Sequence, residues 1–171
     1  PFFVRLSGGN FFGSRSGVMR LVAEEDTSPP VITLTGSASV TIEAGSDYID
    51  AGAMATDAVD GAIAVVVDNK VNTQVPGSYL VSFTATDAAG NAAVEVTRTV
   101  IVEDTLPPVI TLIGSASVTI EAGPNYIDEG ATASDSLDGA IAVVVDNKVN
   151  AQVPGSYLVS FTATDAAGNA A

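Results

Sequence analysis

The 171-residue chain contains no cysteine, no histidine and no tryptophan. Without cysteine it forms no disulfide bond, and without cysteine and histidine it lacks the usual ligands of zinc, haem, copper and iron–sulfur centres. The usual nucleophile–base pairs of hydrolases are missing as well, because they depend on histidine or cysteine. These absences predict a protein that is not an enzyme and that binds no cofactor, with the exception of a cation held by oxygen ligands.

Positive charge and long apolar runs are also scarce. Six basic residues stand against twenty acidic ones, and the formal net charge is −14. Nucleic-acid binding requires a cationic surface, so the composition excludes a nucleic-acid partner, and binding to an anionic membrane surface is disfavoured for the same reason. No apolar run approaches the roughly 18 residues of a transmembrane helix, so membrane insertion is not expected.

Internal repetition is the strongest pattern in the sequence. Residues 26–93 align without gaps on residues 104–171, at an offset of 78, and differ at only ten of the 68 positions. Such similarity indicates a recent duplication and favours a tandem array over two specialised sites. The predicted organisation is an N-terminal extension (1–25), a first immunoglobulin-like repeat (26–104, "repeat 1") and a second, incomplete one (105–171, "repeat 2").

Each repeat consists of short β-strand patterns bounded by turn residues, and no segment carries a helical period. The nearly continuous apolar run at 62–68 predicts a central strand. Seven or so strands in a repeat of this length fit a compact sandwich. The strands predicted in repeat 1 are VITL (31–34), SVTIEA (39–44), GAMATD (52–57), AIAVVVD (62–68), SYLVSFTATD (78–87) and AAVEVTRTVIVED (92–104).

The segments DTLPPVITL, GSYLVSFTATDAAGN and RTVIVED resemble the bacterial immunoglobulin-like surface repeats of secreted adhesins and cell-wall-attached proteins. The resemblance covers roughly residues 26–171. It implies an extracellular or cell-surface location, an all-β fold of two tandem immunoglobulin-like β-sandwiches, and a role as a spacer or adhesive stalk. Within PGSYLVSF it places Tyr79 and Tyr157 at the tyrosine corner of the fold.

The order of segments predicts an exchanged strand. Repeat 1 continues through a closing strand at 94–104, whereas Ala171 aligns with Ala93, so repeat 2 lacks its closing strand. Loss of four or five inward side chains would cost roughly 6–15 kcal/mol, as much as the whole stability of a domain. Residues 16–26, SGVMRLVAEED, align with 94–104. The N-terminal extension is therefore predicted to contain a second, spare copy of the closing strand. The candidate donor residues are Val18, Met19, Arg20, Leu21, Val22 and Ala23.

Three arrangements of this spare strand are open. In donor-strand complementation it completes repeat 2 of the next copy, and the chain forms a head-to-tail homopolymer, a surface filament. In a longer adhesin array, residues 1–26 instead belong to the preceding domain and the chain is part of a spacer or stalk. A strand that folds back within its own chain is disfavoured because repeat 1 intervenes.

Four of the six phenylalanines lie in residues 1–15, outside the repeat pattern. An exposed aromatic cluster is a liability unless a partner covers it, so we expect these side chains to be buried at the junction between subunits. A loose tail is the alternative. The residues concerned are Phe2, Phe3, Phe11 and Phe12.

Acidic residues recur in the turns and linkers of both repeats and form a candidate calcium site, since Ca²⁺ takes about six to eight oxygen ligands. A cation between domains would stiffen a stalk. The alternative is that each aspartate caps the backbone of its own turn. The candidate ligands are Asp26, Asp57, Asp60, Asp87, Asn91, Glu103, Asp104, Asp135, Asp138, Asp165 and Asn169.

A carbohydrate-binding module is a further alternative function. It would need exposed aromatic side chains on one sheet face, and repeat 1 offers only Tyr48, Tyr79 and Phe83, of which two are expected to be buried. The sequence leaves the nature of any cell-surface or glycan ligand open.

Overall fold

The computed structural model describes residues 24–171, which form twelve β-strands and no helix; none of these residues therefore belongs to a helix that could span a membrane. The chain is all-β, as predicted. Repeat 1 contains β1 (Val31–Leu34), β2 (Ser39–Glu43), β3 (Ala53–Asp57), β4 (Gly61–Ile63), β5 (Val66–Asn69), β6 (Gly77–Thr84) and β7 (Val96–Glu103). Repeat 2 contains β8 (Val109–Leu112), β9 (Ala131–Asp135), β10 (Gly139–Ile141), β11 (Val144–Asn147) and β12 (Val159–Thr162).

Repeat 1 is a sandwich of two sheets. One sheet has the order β1-β3-β4 and the other β2-β7-β6-β5. Strand β7 lies between β2, with which it pairs in parallel, and β6, with which it pairs antiparallel. Ile32 and Ala55 of the first sheet pack against Val81, Phe83 and Val100 of the second, and these contacts form the core.

The alternation of β7 explains its central place. Its inward positions are Arg98, Val100 and Val102, which are buried, and the residues between them are more exposed. A strand whose side chains alternate in this way covers one face of a core while its backbone pairs on both edges. Strand β7 thus joins β2 to β6 and closes the core of repeat 1.

The prediction of one central strand at 62–68 is wrong. The run divides into β4 and β5, which lie at the edges of different sheets, and Val66 and Val67 are exposed. An apolar run alone does not distinguish a buried strand from a segment that crosses between the two sheets of a sandwich. The other strands predicted in repeat 1 are present with slightly different bounds.

Repeat 2 has the first sheet but only part of the second. Strands β10-β9-β8 reproduce the sheet β4-β3-β1, whereas β11 and β12 form a sheet of two strands. Residues 117–121, which correspond to β2, form no strand, and β12 has four residues where β6 has eight. Among residues 105–171 no strand lies in the place of β7, so Val159 and Phe161 are half-buried although their counterparts Val81 and Phe83 are fully buried.

Candidate functional site: an open groove and two acidic clusters

One of the three inward side chains of β7 is charged. It belongs to Arg98, which is only 1% exposed. Its guanidinium donates three short hydrogen bonds: Nε to the carbonyl of Ser37 (2.7 Å), Nη2 to the carbonyl of Thr35 (2.5 Å) and Nη1 to Oδ1 of Asp50 (2.5 Å). The Phe83 ring lies 5.6 Å from the guanidinium carbon, within the range of a cation–π contact. The charge is therefore fully paired inside the sandwich.

Two further hydrogen bonds, besides the one from Arg98, orient the carboxylate of Asp50. Its Oδ2 accepts the hydroxyl of Tyr48 (2.5 Å) and its Oδ1 accepts the backbone N–H of Gly52 (2.6 Å). Burial opposes ionisation of Asp50, but the hydrogen bonds from Arg98, Tyr48 and Gly52 outweigh it and lower the pKa of Asp50. The hydrogen bond to Asp50 likewise raises the pKa of Arg98, so both groups are charged.

Repeat 2 has an open groove of about 740 Å³ where β7 would lie. One part of its lining is residues 115–122, the counterpart of β2, and another is residues 153–159, the counterpart of the first half of β6. Tyr126, Asp128 and Phe161 also line it. Since β2 and β6 flank β7 in repeat 1, the groove has the position of a closing strand.

The carboxylate in this groove is organised as in repeat 1. Tyr126 donates its hydroxyl to Oδ2 of Asp128 (2.6 Å), and the N–H of Gly130 donates to Oδ1 (2.7 Å). The hydrogen bond to Asp128 is the main cause that raises the pKa of Tyr126. Ile113 and Ser115, the counterparts of Thr35 and Ser37, line the same groove. We call the group Ile113, Ser115, Asp128 and Gly130 the Asp128 pocket.

The Arg98–Asp50 pair was not predicted as a site. The available signal was an arginine at an inward position of an otherwise apolar alternation, Val96-Arg98-Val100, because such a charge needs a buried partner. The matching signal for the partner was a Tyr-x-Asp-x-Gly pattern that occurs in both repeats.

Two groups of predicted residues lie outside the described part of the chain. They are the candidate donor residues Val18, Met19, Arg20, Leu21, Val22 and Ala23, and the aromatic residues Phe2, Phe3, Phe11 and Phe12.

The two corner tyrosines make the same hydrogen bond in their repeats. Tyr79 donates its hydroxyl to the carbonyl of Val75 (2.8 Å), and Tyr157 donates to the carbonyl of Val153 (2.9 Å). A bond from tyrosine to the backbone a few residues upstream is the hydrogen bond of a tyrosine corner. Both tie the entry of a strand to the preceding turn.

The predicted acidic residues come together in two clusters, one at the start of each repeat. In the first cluster, carboxylate oxygens of Asp26, Asp57 and Asp60 lie within 4.8 Å of one another. Asn91 connects this cluster to the next turn, since its Nδ2 donates to the carbonyl of Asp26 (3.1 Å) and to Oδ2 of Asp87 (2.8 Å). Oδ2 of Asp26 is buried and has no hydrogen-bond partner among residues 24–171.

The second cluster contains Asp104 and Asp135, the counterparts of Asp26 and Asp57, but its third member is Asp165, the counterpart of Asp87, in place of Asp138. Asn169 donates to the carbonyl of Asp104 (3.1 Å) and to Oδ2 of Asp165 (2.9 Å). Burial raises the pKa of Asp104, and the charges of Asp135, Asp165 and Asp138 add to the effect. The negative charges of these aspartates therefore disfavour ionisation of Asp104.

Two of the predicted calcium ligands also accept backbone hydrogen bonds, and a third lies outside both clusters. Asp60 and Asp138 each also accept a backbone N–H from the next turn, that of Ala88 (2.9 Å) and Ala166 (2.8 Å). Glu103 is exposed at the end of β7 and belongs to neither cluster. The clusters thus consist of linker and turn aspartates.

Residues 32–102 and 110–171 match the family described as "Bacterial surface protein, Ig-like domain". The chain belongs to this family. Membership agrees with the resemblance seen in the sequence, and it identifies the two sandwich sequences as immunoglobulin-like repeats of surface-protein type.

Two curated relatives carry the name hyalin. Hyalin of Lytechinus variegatus is 34% identical over 167 residues, which cover 88% of this chain and 31% of the relative. Hyalin of Strongylocentrotus purpuratus is 28% identical over 166 residues, which cover 88% of this chain and 13% of the relative. The chain therefore spans less than a third of the length of these relatives.

Two solved structures are more distantly similar. A lipoprotein from Bacteroides thetaiotaomicron has 22% sequence identity and a TM-score of 0.39, over 80% of this chain and 61% of the lipoprotein. A structure of CBM51-2 in complex with GlcNAc and of INT domains, from Clostridium perfringens ZmpB, has 20% identity and a TM-score of 0.36, over 79% of this chain and 27% of that one. At these values the similarity assigns no function.

Proposed function

We propose that the chain is a non-catalytic, extracellular subunit of a surface filament that assembles head to tail. Residues 16–26 of one copy lie in the groove of repeat 2 of the next copy and complete its second sheet. The observation that carries the proposal is the groove itself, which is lined by the counterparts of the residues that flank β7 in repeat 1 and contains the counterpart of Asp50.

The pairing of β7 defines how the strand enters. It would run antiparallel to residues 155–161 and parallel to 117–121, as β7 does with β6 and β2. In this register Arg20 takes the place of Arg98, and Val22 that of buried Val100. Strand addition of this kind obtains affinity from backbone hydrogen bonds and specificity from alternate side chains.

The sequence match has a limit within the strand. Glu24 aligns with Val102, which is buried in repeat 1. A carboxylate at that position would have to lie at the end of the groove, because burial of an unpaired charge is costly. The donor strand is therefore held mainly by residues 18–22.

A contact at the boundary between repeats supports the same arrangement. Thr105 donates its N–H and hydroxyl to the Glu43 carboxylate, at 2.8 and 2.6 Å. Their counterparts are Thr27 at the start of repeat 1 and Glu121 beside the groove of repeat 2. A strand from one copy in the groove of the next would bring Thr27 to Glu121, so the junction between copies would repeat the junction between repeats.

Light scattering after size exclusion, with electron microscopy of the same samples, tests the filament. The 171-residue chain is expected to form polymers whose length grows with concentration, and a chain without residues 1–23 is expected to be monomeric. A chain without residues 1–15 keeps the candidate strand and serves as the matched control for the aromatic segment. A monomeric full chain, or unchanged polymers after removal of residues 1–23, would show that the filament proposal is wrong.

The second candidate function is a spacer or stalk in a longer adhesin array. It is favoured by the near identity of the two repeats and by the recurrence of the acidic cluster at the start of each. A copy of VEVTRTVIVED appended after Ala171 separates the candidates. Both predict a more stable repeat 2, but only the filament proposal predicts that the appended strand abolishes polymers.

A carbohydrate-binding role has less support. Phe83 is fully buried and Tyr48 is half-buried, and of the aromatic side chains in residues 24–171 only Tyr157 is substantially exposed, at 40%. Tyr157 also lines the groove assigned above to a strand. The described residues thus offer no row of exposed rings on which a sugar could stack.

We further propose that the two acidic clusters bind Ca²⁺ at the repeat boundaries. The donors are hard carboxylate oxygens, which suit Ca²⁺, and the buried Oδ2 of Asp26 has no hydrogen-bond partner among residues 24–171. A cation there would link the linker residue Asp26 to the turn at Asp57 and Asp60. It would stiffen the chain at the start of each repeat.

A further inference from the structure

We propose that the Asp128 pocket is an arginine-specific recognition site that selects the incoming strand and sets its register. The inference deepens the proposed strand complementation and rests on it for the identity of the natural occupant, Arg20 of a second copy. The ligand class is a β-strand that carries one inward-facing arginine, whichever polypeptide supplies it.

Repeat 1 contains the recognition geometry in its occupied form. The guanidinium of Arg98 reaches one carboxylate and two carbonyl oxygens in different directions, at 2.5 to 2.7 Å. A third carbonyl, that of Gly52, lies 3.4 Å from Nη2. Four acceptors thus surround one side chain, and the five N–H donors of arginine lie in one plane and point outward within it.

Repeat 2 presents the same acceptors without such a partner among residues 24–171. Asp50, Ser37 and Gly52 are conserved between the repeats as Asp128, Ser115 and Gly130, and the change of Thr35 to Ile113 leaves a carbonyl at that position. The only salt bridges of the described residues are Asp68–Lys70, Asp50–Arg98 and Asp146–Lys148. Tyr126 and Gly130 orient the Asp128 carboxylate, so the pocket is organised before a strand arrives.

Lysine cannot replace arginine in this pocket. Its single ammonium is a strongly hydrated point charge, whereas the planar guanidinium can meet the carboxylate and the backbone carbonyls together. A lysine would leave at least one buried acceptor without a donor, and such unmade hydrogen bonds are costly. The pocket therefore discriminates between two residues of equal charge.

The same pocket determines register. Successive side chains of a strand point to opposite faces, so a slip of one residue would turn the arginine away from Asp128 and the valines away from the core. Arg20 is the only basic residue of the segment 16–26. One charge in one pocket thus allows one register.

Peptide binding to the 171-residue chain carrying Arg20→Ala tests this inference. The probes are VEVTRTVIVED, the same peptide with lysine or glutamine in place of the arginine, and VEVRTTVIVED, in which the arginine is moved by one residue. The arginine peptide is expected to bind at least about tenfold more tightly than the other three, the difference that one or two charged hydrogen bonds provide. With Asp128→Asn added, the four peptides are expected to bind within about threefold of one another.

Equal binding of the arginine and lysine peptides, persistence of the preference in the Asp128→Asn variant, or the absence of peptide binding would each overturn the inference. The peptide series on the unaltered pocket keeps the test decisive even where Asp128→Asn disturbs folding. Assembly of the whole chain separates the two proposals. If Arg20→Lys polymerises like the unmodified chain, the filament stands and the arginine site fails; if the unmodified chain is monomeric but the peptides are discriminated, the reverse holds.

Discussion

Asp50 and Asp128 lie at the same position in the two repeats and accept equivalent hydrogen bonds, but among residues 24–171 only Asp50 contacts an arginine. The tyrosine two residues earlier and the glycine two residues later hold both carboxylates. The structural difference between the repeats therefore concerns the strand that carries the arginine. Two substitutions at equivalent positions should for this reason have unequal effects.

We expect Asp50→Asn to destabilise repeat 1 by about 3–5 kcal/mol, because it leaves the buried guanidinium of Arg98 without its counter-charge. Asp128→Asn is the matched control, and in a chain without residues 1–23 it should cost repeat 2 much less. Urea unfolding, together with NMR measurement of amide hydrogen exchange at Val81 and Phe83, would measure the destabilisation of repeat 1. Similar losses from both substitutions would show that the ion pair does not stabilise repeat 1.

Acid should weaken repeat 1. The pKa of Asp50 is lowered in the fold by Arg98 and its other donors, in spite of burial. A lowered pKa means that the stabilisation is fully present above the unfolded pKa, about 3.9, and is lost as pH falls through the folded value. The urea concentration at the unfolding midpoint of repeat 1 should thus decrease when the pH is lowered below about 4. Asp50→Asn should make this midpoint less dependent on pH. A midpoint that is constant from pH 6 to pH 3 would contradict the assignment.

Calcium should stabilise the chain through the acidic clusters. At a Ca²⁺ concentration 100 times the dissociation constant, the expected gain is about 2.7 kcal/mol, seen as a rise in Tm. Asp26→Asn and Asp104→Asn should each remove part of the gain, whereas Asp47→Asn, which changes an exposed carboxylate outside both clusters, should not. An equal rise with Na⁺ at matched ionic strength would indicate screening of charge instead of a bound ion.

Cation binding should also act on Asp104. Burial and the neighbouring carboxylates raise its pKa, so its ionised form is disfavoured and protonation favours the fold. The stabilisation that this group gains on acidification is present below its unfolded pKa and is lost as pH rises through its folded pKa. Ca²⁺ should shift the carboxyl titration of Asp104, followed by NMR, to lower pH. A titration that is identical with and without Ca²⁺ would place the ion elsewhere.

The tyrosine hydroxyls should contribute unequally to the free energy of unfolding. Tyr79→Phe removes a hydrogen bond to a backbone carbonyl, which is worth about 1 kcal/mol, and Tyr157→Phe should have a similar effect on repeat 2. Tyr48→Phe removes a donor to the carboxylate of Asp50 and should cost about 1.5–3 kcal/mol. Urea denaturation of the three variants checks the order, and a smaller loss for Tyr48→Phe than for Tyr79→Phe would contradict it.

Local patterns predicted much of the fold. The alternation in SYLVSFTATD predicted β6, because strands bury every second side chain, and the segment 92–104 was predicted as the closing strand, which is β7. The run at 62–68 misled because apolar content does not show which sheet a residue joins. The inward Arg98 and the Tyr-x-Asp-x-Gly pattern around Asp50 each mark a residue that needs a partner, but the two lie 48 positions apart, and neither pattern shows that they meet.

The sequence by itself determined the duplication, the all-β class and the repeated acidic turns, and it predicted that residues 16–26 are equivalent to the closing strand, since each follows from residue order and local period. Only the tertiary structure decided that Arg98 lies against Asp50, that repeat 2 has a groove in the place of β7, and that linker aspartates join turn aspartates in two clusters. The reason is physical. These features depend on which sheets pack together and which backbone groups face inward, and those relationships arise between segments that are distant in the chain.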